Sequence, residues 1–280
     1  MSYITNRKWV KRLRPRLKTA KPSFSTKSYG LTHVGCIRKA NEDSFWMIPQ
    51  NNLWIVADGM GGHAGGQLAS SLTIQEMGKN TIKFLNEAEK TTKRIDVGVI
   101  LKRAAESASS AVFEVAKAEP ELASMGSTLT SLLIYEDAAY LAHIGDSRAY
   151  LFREGQLFQV TQDHSWVQEQ VNFGVLTAEE ANKHPYRNFI LKSISSMSFA
   201  PPDIARVPLK TGDRFLLCSD GLVEHVSDEE IQRVFERCES AHIPSELISM
   251  TNSDHSNPRG PGTDNTTIVV IEVGSKRRAS

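Results

Sequence analysis

Residues 53–63 read LWIVADGMGGH, an apolar run that stops at an aspartate followed by a glycine. Such a run is typical of a buried strand, and Asp-Gly is typical of the turn that ends it. The same arrangement occurs in LAHIGD at 141–146 and in FLLCSDG at 215–221, and Asp264 stands shortly before the run IVVI at 268–271. The sequence therefore predicts four strand ends that each present a carboxylate: Asp58, Asp146, Asp220 and Asp264.

Carboxylates that converge at strand ends repel one another unless cations neutralise them. Ligands that are all oxygen atoms, without clustered His or Cys, favour Mg²⁺ or Mn²⁺ over Zn²⁺. Small residues near Asp58 leave room for the backbone to approach an ion, and the Gly59 carbonyl is a candidate ligand. These small residues are Gly59, Gly61, Gly62, Gly65 and Gly66. An isolated Asp-Gly pair usually marks only a turn, so the metal hypothesis depends on the joint occurrence.

Short β-rich runs and two long helical stretches favour an α+β fold. Strands are predicted at 53–57, 128–135, 138–144, 148–153, 214–219 and 266–273. Hairpin spacing at 136–137 and 154–155 favours antiparallel pairing. Helices are predicted from about 67 to 84, over the apolar steps of three and four between 97 and 115, and from Ser227, which has capping-box spacing with Glu230.

Composition limits the class of protein. The chain has 280 residues, 40% of them hydrophobic, which is enough for a core of ordinary size. No apolar run reaches the roughly 20 residues that span a bilayer, and no secretory signal is visible, so we expect a soluble cytoplasmic protein. Cys36, Cys218 and Cys238 are scattered, which argues against a disulfide framework and against a structural zinc site.

Charge is distributed unevenly. Residues 1–27 contain nine basic residues and no acidic one, which leaves 24 basic against 32 acidic residues in the rest. We expect a flexible basic tail at 1–27, a folded domain at 28–274 and a short basic tail at 275–280. The N-terminal tail could contact an anionic membrane surface, placing the protein at its periphery, or an acidic partner, or only aid solubility. Few aromatic residues lie among its bases, so nucleic-acid recognition is disfavoured.

Seven segments match one known family in order. They are RKANED at 38–43, VADGMGGH at 56–63, GST at 126–128, GDSR at 145–148, TQDHS at 161–165, SDGL at 219–222 and DNTT at 264–267. Together they resemble the Mg²⁺- or Mn²⁺-dependent protein phosphatases of type 2C in their compact bacterial form, over roughly residues 28 to 273. The resemblance implies a four-layer α-β-β-α sandwich of two antiparallel sheets flanked by helices.

The resemblance also implies a site with two metal ions. Asp58 would bridge the cations, Asp220 and Asp264 would complete one ligand set, and the Gly59 carbonyl the other. A hydroxide bridging the cations would attack phosphorus in line. Arg38 would clamp the phosphate with two hydrogen bonds, because its planar guanidinium matches two oxygens.

For the remaining site residues, more than one role is possible. Glu42 and Asp43 would hold metal-bound waters or bind directly. Asp146 matches a third, weaker metal position in bacterial relatives, although a plain turn explains it equally well. Where animal relatives have a His as general acid this chain has Met60, so His63 is only a candidate proton donor beside metal-bound water.

Residues 166–187 correspond to a mobile flap over the site, which would help to choose substrates. After the flap, 192–195 read KSIS where the family usually has RALG, which puts the junction of flap and core in doubt. The function implied is hydrolysis of phosphoserine and phosphothreonine in proteins; the alternative is a catalytically weak module of the same fold that binds phosphoproteins. Expected partners are phosphorylated proteins and a cognate Ser/Thr kinase, and the protein is expected to be a monomer.

Overall fold

The computed structural model describes residues 24–62, 64–91, 95–195, 200–254 and 260–276. Its strands are β1 (Phe24–His33), β2 (Ser44–Ile48), β3 (Leu53–Ala57), β4 (Gly59–Met60), β5 (Gly126–Ser127), β6 (Leu129–Tyr135), β7 (Ala138–Ile144), β8 (Arg148–Arg153), β9 (Gln156–Gln159), β10 (Ile194–Ser195), β11 (Asp203–Pro208), β12 (Arg214–Cys218) and β13 (Thr266–Lys276). Its helices are α1 (Ala64–Thr91), α2 (Val97–Ala118), α3 (Trp166–Asn172), α4 (Ala178–Lys183), α5 (Asp220–Val223), α6 (Asp228–Arg237) and α7 (Ile243–Ser253).

The strands form two large sheets and one small one. The first has the order β1-β13-β12-β8-β9, and the second has the order β11-β7-β6-β3-β2. A short sheet, β10-β5-β4, lies next to the segment that follows β3. All pairings are antiparallel, as the hairpin spacing predicts.

Alternate residues of each strand face opposite layers. On β3, Trp54 packs between the two large sheets in one cluster with Val269 of β13. Its neighbour Ile55 faces outward and packs with Leu101 of α2. A third cluster joins the outer face of the first sheet to α6 and α7. The predicted four-layer α-β-β-α sandwich is therefore confirmed.

The predicted tail boundaries are wrong by a few residues. The sequence assigns 24–27 to the N-terminal tail, but these residues open β1, where Phe24 is only 5% exposed and pairs with Lys276. β13 also continues to Lys276, into the segment assigned to the C-terminal tail. The Ser, Thr and Lys of β1 are tolerated because it is an edge strand that pairs only with β13. Residues 1–23 lie outside the described residues.

The three predicted helices are present as α1, α2 and α6, and the bounds of α1 differ most from the prediction. That helix runs from Ala64 to Thr91, beyond both predicted ends, because its C-terminal part consists of good helix formers on the surface. Ser227 and Glu230 form the predicted capping box of α6. None of the helices in the described ranges has the length and apolar content that crossing a bilayer requires.

Candidate metal centre

The carboxylates at the strand ends gather in one place, at the edge where β3, β12 and β13 approach each other. The pKa of Asp58 is raised well above its ordinary value, first by burial and then by neighbouring negative charges. These charges belong, in decreasing order of effect, to Asp43, Asp220, Asp146 and Asp264. Since charges act on each other this strongly only at short range, Asp58 lies at the centre of the group.

The pKa values of three other carboxyl groups in this pocket are raised as well. Burial raises the pKa of Asp43 to about 6, although a hydrogen bond from Ser219 opposes the shift. Burial also raises the pKa of Asp146 to about 7, with the charge of Asp163 adding to it. The pKa of Asp220 is raised by burial and then by the charge of Asp146. The folded chain therefore holds more negative charge in this pocket than its own side chains compensate.

Buried carboxylate oxygens without partners test whether divalent cations suit this pocket. The Oδ1 atoms of Asp43, Asp146 and Asp220 are buried and accept no hydrogen bond from the described residues. Buried polar atoms are rarely left in this condition without a ligand or water. Because the donors are carboxylate oxygens, they fit Mg²⁺ or Mn²⁺.

The side chains alone do not form a finished cage. Among the described residues, no group of three or more His, Cys, Asp or Glu side chains is arranged to hold an ion by itself. Binding therefore requires small side-chain movements, or further oxygen atoms from water and from the backbone, such as the Gly59 carbonyl. The donor chemistry fits the metal hypothesis, while the individual ligand assignments stay predictions.

The backbone of Asp58 is fixed by Thr128 and Ser127. The Asp58 N–H donates to Thr128 Oγ1 at 2.8 Å, and the Thr128 N–H donates to the Asp58 carbonyl at 2.8 Å. Ser127 Oγ also donates to that carbonyl, at 3.0 Å. Thr128 Oγ1 in turn lies 2.7 Å from Ser147 Oγ, in the loop that carries Asp146. The sequence did not indicate this support, although the segment GST is one of the seven that match the family.

Glycines let three segments meet beside Asp58. A Cβ on Gly59 would collide with the carbonyls of Gly66 and Glu42, and a Cβ on Gly66 would collide with Glu42 Oε2. The Glu42 carboxylate thus lies against the first turn of α1, where helix N–H groups and the helix dipole favour negative charge. Gly59 and Gly66 therefore let protein segments approach each other closely. The sequence suggested instead that the small residues leave room for an ion.

Arg38 and Asp264 pair directly. Arg38 Nη2 lies 2.6 Å from Asp264 Oδ2, and the Arg38 side chain is 51% exposed. The predicted phosphate clamp and a predicted metal ligand thus share one ion pair at the entrance of the pocket. The pair holds the guanidinium beside a carboxylate of the acidic group.

Two polar residues that the sequence analysis did not single out hold the acidic segment 42–43. Ser219 Oγ donates to Asp43 Oδ2 at 2.7 Å, and Asn265 Oδ1 accepts from the Glu42 N–H at 2.8 Å. Each stands beside a carboxylate of the centre, Asp220 or Asp264, and this adjacency is the signal that could have found them. His63, the candidate proton donor, lies outside the described residues.

A cleft of about 630 Å³ opens between the flap and α5–α6. Asp146 and Asp220 lie on its wall, and Asn182 and Asn188 face it from the flap side. Asn188 Nδ2 donates to Glu224 Oε1 at 2.9 Å, which ties the end of the flap to the core. The segment 166–187 contains the two short helices α3 and α4.

Comparisons with known proteins show which family this chain resembles. A family model described as Protein phosphatase 2C matches residues 38–251. The serine/threonine protein phosphatase PstP of Mycobacterium tuberculosis is 39% identical over 239 residues, which make up 85% of this chain and 43% of that protein. This chain therefore spans less than half the length of PstP. Protein phosphatase PhpP of Streptococcus pneumoniae is 33% identical over 253 residues, 88% of this chain and 97% of that protein.

Solved structures give the same result. The crystal structure of M. tuberculosis PstP/Ppp has a TM-score of 0.78 at 36% identity and covers 89% of this chain and 99% of that one. The catalytic domain of PstP in complex with two manganese ions has a TM-score of 0.74 at 35% identity, covering 90% of this chain and 100% of that one. The family model, the relatives and the fold lead to one conclusion: the chain belongs to the protein phosphatase 2C family.

Proposed function

We propose that this protein is a metal-dependent protein serine/threonine phosphatase. The observation that carries the proposal is the group of buried, mutually repelling carboxylates around Asp58. The relative whose structure holds two manganese ions supports Mn²⁺ as the cofactor, with Mg²⁺ as the alternative. In this proposal a third, weaker ion would lie at Asp146. With two divalent cations bound, such a site supplies water of lowered pKa near neutral pH and positive charge for the phosphoryl oxygens.

Each residue of the site has its own role in the proposed reaction. In this proposal Asp58 would be shared by the two cations, Asp220 and Asp264 would complete one ligand set, and the Gly59 carbonyl would belong to the other. Glu42 and Asp43 orient water at the edge of the site. With the cations bound, the site would supply hydroxide for attack on phosphorus, in line with the departing alcohol.

The wider setting is part of the same proposal. Substrates are proteins phosphorylated on Ser or Thr, supplied by a cognate kinase, and the flap helps to select them. The basic tail binds an anionic membrane surface or an acidic partner, and the protein acts in the cytoplasm as a monomer. The alternative of a weak phosphoprotein-binding module has no specific support, since each Asp predicted to bind metal is present.

The direct test is hydrolysis of p-nitrophenyl phosphate and of a phosphothreonine peptide by the purified chain. We expect turnover of both with Mn²⁺, and none after a chelator removes the ions, because the carboxylates alone offer no positive charge to the phosphate. Equal rates with and without the chelator would remove the proposal.

Arg38→Ala should weaken substrate binding more than metal binding. A charge-assisted hydrogen bond contributes about 1.5–3 kcal/mol, so we expect KM for the phosphopeptide to rise by roughly ten- to a hundredfold. The Mn²⁺ concentration for half-maximal activity should stay the same or fall, because Asp264 loses its ion-pair partner. Arg206→Ala is the matched control, since Arg206 pairs with Asp137 instead. A loss of Mn²⁺ affinity with unchanged KM would show that Arg38 holds the metal centre and not the phosphate.

A further inference from the structure

His164 lies at the junction of three parts of the structure and has no role in the mechanism above. It is buried, between the Gly145–Asp146 loop and the base of the flap. The His164 N–H donates to the Gly145 carbonyl at 2.8 Å, and the Gly145 N–H donates to His164 Nδ1 at 3.1 Å. Two reciprocal hydrogen bonds thus hold the residue directly before Asp146.

These contacts fix the tautomer of the ring. Because Nδ1 accepts from a backbone N–H, the proton of the neutral imidazole is on Nε2. His164 Nε2 lies 3.3 Å from Asp203 Oδ2. The contact is not well aligned as a hydrogen bond, since Nε2 is buried without such a partner among the described residues. It is nevertheless the main reason that the pKa of Asp203 is lowered to about 2.

A second ring holds the plane of the first. His143 of β7 stacks on His164 with ring centroids 4.9 Å apart and 24° between the planes. Burial, followed by the nearby His164, lowers the pKa of His143 to about 4, so this ring is neutral in the physiological range. His143 Nδ1 lies 3.0 Å from Thr130 Oγ1 of the neighbouring strand, which anchors the stack in the second sheet.

The backbone of His164 also closes the base of the flap. The Leu191 N–H donates to the His164 carbonyl at 2.7 Å, and the Trp166 N–H donates to the Phe189 carbonyl at 2.9 Å. The segments that enter and leave the flap are therefore hydrogen-bonded to each other beside the metal centre.

The Gly145–Asp146 loop needs such support. Gly145 has φ of +108°, and a Cβ there would come within 2.6 Å of Thr128 Cγ2. Asp146 is 7% exposed, and its Oδ1 has no hydrogen-bond partner in the described chain. Without a fixed backbone, this carboxylate would lower its energy by turning away from the other acids.

We propose that His164 is a positioning residue, which holds the Gly145 N–H so that Asp146 stays directed into the metal centre and which joins this loop to the base of the flap. The proposal rests on the metal-binding part of the proposed function, because Asp146 is a metal ligand only within it. The part played by Nδ1 is separable from that played by Nε2, since each has a different partner.

Two amide substitutions separate these parts. An Asn side-chain oxygen takes the place of Nδ1 and can accept from Gly145, whereas a Gln amide takes the place of Nε2 and can reach only Asp203. We expect His164→Asn to bind Mn²⁺ like the wild type. His164→Gln should need roughly ten- to a hundredfold more Mn²⁺ for its weakest binding event, as for other residues that orient metal ligands.

The measurements are Mn²⁺ titration by calorimetry and amide hydrogen exchange, on the full chain. His164→Gln should speed exchange in the segment around Asp146 and at the base of the flap, and His242→Gln, at an exposed His, should change neither. In an Asp146→Asn background, His164→Gln should cause no further loss of Mn²⁺ affinity, because both act on one ligand.

Other outcomes would overturn the proposal. Equal loss of thermal stability in His164→Asn and His164→Gln, with unchanged Mn²⁺ binding, would reduce His164 to a packing residue. Impairment of the Asn variant alone would shift the role to the Asp203 contact. Both readouts work without turnover, so a protein that binds Mn²⁺ but hydrolyses nothing would contradict the proposed function and leave this inference standing.

Discussion

Asp58→Asn is expected to abolish phosphatase activity. It should also make the metal-free protein, measured in a chelator, more stable than the metal-free wild type near neutral pH. Asparagine keeps the shape of aspartate but removes the charge at the centre of the acidic group. The loss of turnover should be on the order of a thousandfold or more, because both cations depend on this residue in the proposed mechanism. In the absence of metal the same change removes a carboxyl group whose ionised form is disfavoured first by burial and then by four other carboxylates.

Two measurements check this expectation: hydrolysis of the phosphothreonine peptide at saturating Mn²⁺, and thermal unfolding in a chelator. Asp137→Asn is the matched control, since Asp137 lies in the hairpin between β6 and β7, at the end of these strands away from Asp146. It should keep full activity. If Asp58→Asn retained activity within about tenfold of the wild type, the bridging role would have to be abandoned.

Removal of the metal should destabilise the protein in a way that depends on pH. The pKa of Asp43 is about 6 and that of Asp146 about 7 in the folded chain, against about 4 for an unfolded Asp. Between about pH 4 and pH 7 the folded state therefore binds protons that the unfolded state has released, so its free energy of unfolding falls as pH rises. The stabilising contribution of these protons is complete below about pH 4 and lost as pH passes through 6 and then 7.

Each pKa unit corresponds to about 1.4 kcal/mol, so the two groups together change the free energy of unfolding by several kcal/mol. Thermal unfolding in a chelator, followed from pH 4.5 to 8, should show a falling midpoint. Added Mn²⁺ should raise the midpoint more at pH 8 than at pH 5, because it binds the ionised carboxylates. A metal effect that is the same at both pH values would show that the ions bind elsewhere.

The elements with strong local signals were predictable from the sequence. The runs at 53–57 and 138–144 coincide with β3 and β7, because buried strands are unbroken apolar stretches between turn residues. β1 and β11 were missed because each is an edge strand, whose half-exposed face tolerates polar residues that hide the pattern. For such strands the pairing comes from the neighbour in the sheet and not from their own composition.

The candidate site also contains a part that the sequence predicts and a part that it does not. The carboxylates could be found because each stands at a strand end, and one sheet architecture brings those ends together. The contacts made by their supporting residues could not be predicted, since Ser219 reaches Asp43 across 176 positions and Asn265 reaches Glu42 across 223. No periodicity encodes contacts of that separation. The role of each carboxylate, as a direct ligand or as a partner of metal-bound water, stays a prediction.

The pairing of β1 with β13 has a practical consequence. Phe24 lies opposite Lys276, whereas His33 lies opposite Thr266, next to the acidic group. Ten residues of strand extend about 30 Å, so the two outer ends of this ribbon lie side by side, roughly that far along the strands from the end next to the acidic group. A bead, fluorophore or fused reporter attached at either end would leave the pocket open to a bulky phosphoprotein, so immobilised protein should remain usable for capturing substrates.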